Sequence, residues 1–220
     1  MSELPYKTIS VSGPDAFEFL QNLLTNDLQL LESNAEIFAA MCNSKGKVIW
    51  FGTVHATESG YAMSVATDLA EDMVSRLTVF RFRSRVEFAI EEGGTVDPGF
   101  LITNGYPFIG AIQSEHFTPH MLNLDLLGAV SVDKGCYPGQ EIVARTHFRG
   151  ATKRRLMRFE SSDPVSPGDK VSDGDRDIGE VLNANGMDLL AVVPTRAADA
   201  ELSINGKPLV NLPLPYLSDS

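Results

Sequence analysis

Cysteine and tryptophan are scarce in this chain, which has two cysteines and one tryptophan among 220 residues. Cys42 and Cys136 are far apart in sequence, so they match neither a disulfide framework nor a metal-ligand cluster and fit a reducing cytoplasm. No apolar run approaches the roughly 20 residues that span a bilayer. The opening stretch also lacks a charged-then-apolar secretory pattern. We therefore expect a soluble, cytoplasmic protein with no membrane partner.

Positive charge is also in short supply, since 18 Lys and Arg stand against 29 Asp and Glu and the formal net charge is −11. This excess of acid argues against general nucleic-acid affinity. The basic segment, residues 134–158, is the exception, with seven basic residues and one acid. It suits an anionic ligand and is where weak nucleic-acid contact is expected, although a solvated strand is the alternative. A second basic cluster, Arg76, Arg81, Arg83 and Arg85, adds to it only if the fold brings the two together.

The octapeptide Lys-Gly-Cys-Tyr-Pro-Gly-Gln-Glu at residues 134–141 is the most informative motif. Pro138 and Gly139 occupy the second and third positions of a type II turn. The apolar periodicity that follows predicts a helix from about Gly139. The free N–H groups of that helix and the nearby Lys134 favour the thiolate of Cys136. A buried, unreactive cysteine is the alternative.

This motif, its continuation to residue 150 and the preceding residues 117–124 resemble the YgfZ family of folate-binding proteins. That family is related to the T protein of the glycine cleavage system, a tetrahydrofolate-dependent aminomethyltransferase. Residues 13–27 and 42–47 resemble an opening shared by both groups. The resemblance implies a protein that binds tetrahydrofolate, or a one-carbon derivative of it. It also implies support for the assembly or repair of iron–sulfur clusters in enzymes, including radical enzymes that modify tRNA. The implied partners are folate and iron–sulfur enzymes or cluster-assembly proteins.

The resemblance also implies site residues. The working thiol is Cys136, with Lys134 beside it, and folate lies near Asn26, Asp27 and Trp50. The other motif residues are Gly135, Tyr137, Gly139, Gln140, Glu141 and Arg145. From the residues alone, satisfied helix caps are the favoured interpretation of the polar run at 25–27. Trp50, in a hydrophobic strand, is by default a core residue, with stacking on a flat folate ring as the alternative.

Two segments depart from the T protein. Residues 46–51 stand where the T protein has the aspartate that works at the reacting folate nitrogen, and they contain no carboxylate. A positioned carboxylate contributes about 10²-fold to 10⁴-fold in rate. Thr103 or Asn104 stands where the T protein has a pterin-binding glutamate. Ordinary glycine cleavage is therefore not expected, and whether the chain catalyses any reaction stays open.

The secondary-structure pattern predicts an α+β fold, because strands and helices mix without a regular βαβ order. Strands are predicted at 6–11, 35–41, 48–55, 61–65 and 85–90, with helices after a Ser12 cap and over 67–80. From about residue 153, short apolar runs at 156–159, 178–182, 189–193 and 202–204 alternate with turn dipeptides, which indicates a small antiparallel β-barrel. We predict a folate-binding, aminomethyltransferase-like body at 1–152 and the barrel at 153–220.

Two other functions stay open at this stage. One is an RNA-binding or adaptor module that uses the basic segment. The other is a cysteine hydrolase or acyltransferase with Cys136 as nucleophile and His147 as base. No metal site is predicted, because His116 and His120 lack the zincin glutamate and a proline precedes the second histidine.

Overall fold

A computed structural model describes residues 3–150, 152–198 and 200–217. The extreme ends of the two predicted domains, residues 1–2 and 218–220, therefore lie outside the described residues. Within the described ranges, a five-stranded sheet with its helices precedes a closed barrel. The mixed α+β class and the C-terminal barrel are confirmed, while the boundary at residue 152 stays a prediction.

The sheet is antiparallel throughout, in the order β2-β3-β4-β1-β5. Its strands are β1 (Leu4–Ser12), β2 (Ile37–Cys42), β3 (Val48–Thr57), β4 (Gly60–Ala66) and β5 (Glu87–Val96). The helices are α1 (Ala16–Gln21), α2 (Ala70–Arg81), α3 (Pro98–Asn104) and α4 (Gln140–Arg149). Short 3₁₀ turns, including Leu28–Glu32 and Pro119–Leu122, connect them.

Strand β2 is buried on both faces, and alternate side chains belong to two different cores. Ala39 and Met41 pack into the core that α1 and α2 cover. Ala40 and Cys42 point the other way, into a second core that also contains barrel residues. Because successive side chains of a strand alternate between faces, this one strand joins the body to the barrel.

The barrel has the strand order β10-β11-β6-β9-β8-β7 and closes where Ser203 pairs with Ser172. Its strands are β6 (Arg154–Ser161), β7 (Lys170–Ser172), β8 (Asp177–Asn185), β9 (Asp188–Pro194), β10 (Ser203–Ile204) and β11 (Lys207–Leu212). Phe159, Val181 and Leu189 fill its interior. Leu156, Leu182 and Leu190 face outward into the core shared with the body.

The predicted elements are found, with differences at some ends. Helix α1 begins at Ala16, and its N-cap is Asp15 without a side-chain capping bond. The predicted Ser12 cap is wrong, because Ser12 is the last residue of β1 and pairs with Gly60 and Glu87. Helix α3 and strands β7 and β11 were not predicted. The signal for α3 was present in Asp97, which accepts from two backbone N–H groups, and in the left-handed Gly105 at the other end.

Asn183 ties barrel strand β8 to the loop that follows α3. Its side chain accepts from the backbone N–H of Phe108 and donates to the C=O of the same residue, at 2.9 Å in each case. Asn183 is buried, so both backbone groups of Phe108 depend on it. No helix in the described residues is both long and apolar enough to span a membrane.

We expect Asn183→Ala to lower the free energy of unfolding by about 1–3 kcal/mol, because it leaves two partly buried backbone groups unsatisfied. Urea unfolding of the purified variant measures this change. Asn211→Ala is the matched control, since Asn211 makes one exposed bond to the C=O of Ala198. That variant should stay within about 0.5 kcal/mol of the parent. Equal losses in the two variants would contradict the role of Asn183.

Candidate functional site

The motif turn packs directly against the hairpin turn between β2 and β3. Gly139 has a φ of +80° and the N–H of Gln140 donates to the C=O of Tyr137, which confirms the predicted type II turn. A Cβ on Gly139 would lie 2.4 Å from the Asn43 oxygen and 2.8 Å from the Cα of Gly46. The glycine is therefore needed for both its conformation and this close approach.

Helix α4 continues the contact. A Cβ on Gly46 would lie 2.9 Å from the Cβ of Ile142, so the helix rests on the hairpin turn. Val143 is buried, whereas Glu141 and Arg145 are exposed. The predicted helix start near Gly139 is correct, since Gly139 is the N-cap of α4. The motif is thus a turn and a helix fixed on the outside of the sheet.

Lys134 is buried with only 8% of its surface exposed. Its ammonium group donates to the backbone carbonyls of Gln21 and Leu24, at and just beyond the end of α1, where a cation is favourable. The Tyr137 ring lies 5.4 Å from the ammonium nitrogen. Burial lowers the pKa of Lys134 to about 8, while the nearby Asp27 acts in the opposite direction.

Cys136 lies between these two anchored side chains and is exposed. The expected activation of its thiol by Lys134 is not what the structure supports, because the Lys134 ammonium is bonded to backbone carbonyls. The start of α4 also offers fewer free N–H groups to the thiol than expected, since the N–H groups of Ile142 and Val143 donate to the Gly139 oxygen. The structure presents the thiol to solvent.

Asn26 and Asp27 make structural bonds. The Asn26 amide donates to the carbonyls of Phe38 and Gly128. Asp27 caps the following 3₁₀ turn by accepting from the N–H of Gln29. The neighbouring Thr25, which is fully buried, donates to the Ala129 oxygen. Of these three residues, Asp27 is a cap, whereas Thr25 and Asn26 bond to β2 and to residues 128–129. A folate contact at Asn26 and Asp27 stays a prediction.

The aromatic cavity, of about 580 Å³, opens between the sheet and the loop after α3. Four aromatic rings follow one another along it, with centroid distances of 5.3 Å (Phe51 to Phe38), 5.1 Å (Phe38 to Tyr106) and 6.1 Å (Tyr106 to Phe100). Such a wall suits a flat ring system. No sequence signal identified this wall, because its rings come from three separate segments.

Trp50 is not part of that wall. It is fully buried in the core on the opposite face of the sheet, and its indole N–H donates to the Ser64 oxygen at 2.8 Å. The expectation that its ring stacks on a ligand is therefore wrong. The ring does lie directly behind the cavity, because a Cβ on Gly52, which lines the cavity, would be 2.9 Å from Trp50.

The two segments that depart from the T protein meet at the aromatic cavity. Phe51, from the segment that lacks the aspartate, lines it together with Leu101 and Tyr106 from the second segment. Thr103 and Asn104 are not among its lining residues. Glu36 is the one carboxylate among the described residues that line it. None of the motif residues 134–149 lines it, so the thiol and the aromatic cavity are separate.

The basic segment is only partly neutralised within the fold. Arg155 forms a two-pronged ion pair with Asp125. Arg158 pairs with Asp188, and Arg154 donates to the Val192 oxygen. The positive charge available to an RNA is therefore reduced along β6, where these three arginines lie, while the other described arginines of the segment, Arg145 and Arg149, are exposed.

His147 does not pair with Cys136. It lies seven residues into α4, about 10 Å along the axis from the helix start, and its ring lies 6.0 Å from the ring of His120. A general base must be within about 3.2 Å of the group that it deprotonates. The geometry therefore does not support a cysteine hydrolase.

Comparison with known proteins agrees with this architecture. Residues 153–213 match the family described as "CAF17, C-terminal beta-barrel domain". A protein named "tRNA-modifying protein YgfZ" from Klebsiella pneumoniae is 28% identical, over 81% of this chain and 78% of its own length. A protein of the same name from Hamiltonella defensa is 26% identical, over 67% of this chain and 66% of its own length.

Among solved structures, a glycine cleavage system aminomethyltransferase T from Bartonella henselae has a TM-score of 0.77. The match covers 96% of this chain and 84% of that protein, at 14% identity. At this identity the likeness shows the fold alone. The expected aminomethyltransferase-like fold is thereby confirmed.

We expect iodoacetamide at neutral pH to alkylate Cys136 and to leave Cys42 unmodified in the folded protein. Cys136 is exposed, whereas Cys42 is fully buried and burial raises its pKa to about 12. Mass spectrometry of proteolytic fragments assigns the label. Repeating the reaction in urea should label both cysteines, and equal labelling in the folded state would contradict the structure.

Proposed function

Because this chain is a member of the YgfZ family, we propose that it binds tetrahydrofolate or a one-carbon derivative of it. Its role is to support the assembly or repair of iron–sulfur clusters in enzymes, including radical enzymes that modify tRNA. It works in the reducing cytoplasm. Cys136 is the working thiol. The observation that carries the folate part is the aromatic cavity.

The size and lining of the aromatic cavity support folate binding. A volume of about 580 Å³ lies within the roughly 300–1,000 Å³ of small-molecule sites. The aromatic wall stacks on the pterin or aminobenzoyl ring. The Thr53 and Ser64 hydroxyls, 3.0 Å apart, add polar contacts at the same surface. Because the cavity has no lysine or arginine among its described lining residues, the anionic glutamate tail points outward.

The lining of the same cavity favours a protein that binds folate but does not carry out glycine cleavage. The segment that stands where the T protein has its working aspartate, residues 46–51, supplies Phe51 to the aromatic wall. A phenyl ring neither accepts nor donates a proton, so Phe51 supplies no acid–base group to the folate nitrogen. Asn26 supports the aromatic wall indirectly, because its amide donates to the backbone carbonyl of Phe38, which carries one of the rings.

The exposure of Cys136 supports its role with protein clients. A thiolate is the form that exchanges with disulfides and binds metals. An exposed thiol between two anchored neighbours is accessible to a large partner while its position stays fixed. Cys42, the other thiol, is enclosed in the core and cannot substitute for it.

Titration with tetrahydrofolate should give a saturable change in tryptophan fluorescence, because the single Trp50 lies just behind the cavity wall. We expect Phe100→Ala to weaken binding by about tenfold, since Phe100 lines the cavity and is half exposed. Phe148→Ala is the matched control, because Phe148 is also exposed but does not line the cavity. Calorimetry gives the affinities independently. An absence of binding up to millimolar folate would refute this part of the proposal.

We expect Cys136→Ala to abolish rescue of iron–sulfur enzyme activity in a strain that lacks the protein, while its thermal unfolding stays unchanged because the side chain is exposed. Cys42→Ala serves as the control for loss of a thiol and should still rescue. The readout is the activity of a cluster-dependent tRNA-modifying enzyme in extracts. Full rescue by Cys136→Ala would remove the working-thiol role.

A further inference from the structure

A second cavity, which we call the motif-side cavity, lies on the outside of the body and has a volume of about 540 Å³. One wall is α1, a second is the loop after α2, and a third is Pro138 of the motif turn. Pro138 is two residues from Cys136. The fold therefore brings the second basic cluster, through Arg83, to the side of the thiol motif.

Phe82 is an unusual residue at the edge of this cavity. Its side chain is 86% exposed, although a phenyl ring in water is unfavourable. Its backbone has φ 40° and ψ −98°, a conformation that non-glycine residues rarely adopt. Backbone strain of this kind costs about 1–3 kcal/mol and concentrates at functional sites. Burial in the core does not explain its position, since the ring faces solvent.

Two of the four arginines in the second basic cluster form ion pairs and two do not. Arg85 forms an ion pair with Asp15, and Arg76 pairs with Asp72 and Glu115. In the part of the chain that the structure describes, Arg81 and Arg83 have no ion pair, and the Arg83 guanidinium lies 5.4 Å from the centre of the Phe82 ring. Phe80 adds a second, partly exposed ring. Two arginines thus alternate with two rings at the end of α2 and in the turn that follows it.

We propose that this segment, Phe80 to Arg83, binds an unpaired nucleotide of an RNA strand. The base stacks on Phe82, and Arg81 and Arg83 hold the adjoining phosphates. Exposed aromatic rings with interleaved arginines are the usual means of holding single-stranded nucleic acid. Glu18, on the α1 wall of the cavity, repels phosphate, so the RNA backbone follows the arginine side. An acidic peptide would satisfy the arginines but would leave the rings without a planar partner.

The proposal does not depend on folate binding. It assigns the RNA contact to the end of α2 and the turn after it, where the arginines alternate with exposed rings. In the basic segment, Arg154, Arg155 and Arg158 are bonded within the fold. The site lies beside Pro138, so a nucleotide bound there is near the exposed thiol. Only two unpaired arginines take part, and the net charge is −11, so the affinity is low and depends on salt.

Fluorescence anisotropy with a labelled oligouridylate, measured over a range of KCl concentrations without folate, tests the site. Phe82→Ala should weaken binding between about fivefold and 150-fold. The double variant Arg81→Ala/Arg83→Ala should lower the slope of log affinity against log salt by about 1.4, since each phosphate contact on a single strand contributes about 0.7. Arg83→Gln alone should lower the slope by about half as much.

Phe148→Ala and Arg196→Ala are the controls, because both residues are exposed and lie outside the motif-side cavity. Both should bind the oligonucleotide like the parent. Unchanged binding by Phe82→Ala would overturn the proposal. So would equal binding of duplex RNA, equal affinity for free uridine monophosphate, or full competition by polyglutamate. Thermal unfolding checks that the variants fold. If Phe82→Ala does not fold, Arg83→Gln provides the test.

Discussion

The buried ammonium group of Lys134 is the contact on which the motif depends. It satisfies two backbone carbonyls at and beyond the end of α1, and each would cost about 1–3 kcal/mol if left unpaired in the interior. Its position also fixes the neighbours, because Tyr137 packs over it and Gly139 then meets the hairpin turn. Cys136 is exposed because the residues on either side of it are held down. The lysine of the motif therefore acts on the position of the thiol.

A second set of bonds connects this motif to the aromatic cavity. Thr25 accepts from the N–H of Ala40 in β2 and donates to the carbonyl of Ala129, and its own carbonyl accepts from Ser131. Asn26 spans the same gap between Phe38 and Gly128. The chain that leads into the motif is thus bonded to the strand that carries the cavity wall. Thiol and cavity are separate sites on one continuous hydrogen-bonded frame.

The sequence predicted the elements with strong local signals. Pro138-Gly139 requires a specific turn, and the periodicities of β1–β4 and α2 are regular, so these were found close to their observed positions. Strands β7 and β11 were missed because they are short or mostly exposed, and their pairing depends on barrel closure. The sequence could not decide whether Trp50 contacts a ligand or lies in the core. Both faces of its strand are apolar, so the alternation of side chains does not show which face meets a cavity. The four-ring wall could not be predicted, since it forms only when three distant segments meet.

The basic residues show the same limit of prediction from sequence. Seven basic residues in one segment predicted a positive surface, yet Arg155 and Arg158 find acids thirty residues away in sequence. Among the described residues, Arg81 and Arg83 form no ion pair, although their stretch is less basic, and neither do Arg145 and Arg149 of the basic segment. An arginine contributes to binding an anion only if the fold leaves it unpaired. The electrostatic surface beside Cys136 is therefore determined by which acids the tertiary fold brings within reach, and the count of basic residues along the chain is a poor guide to it.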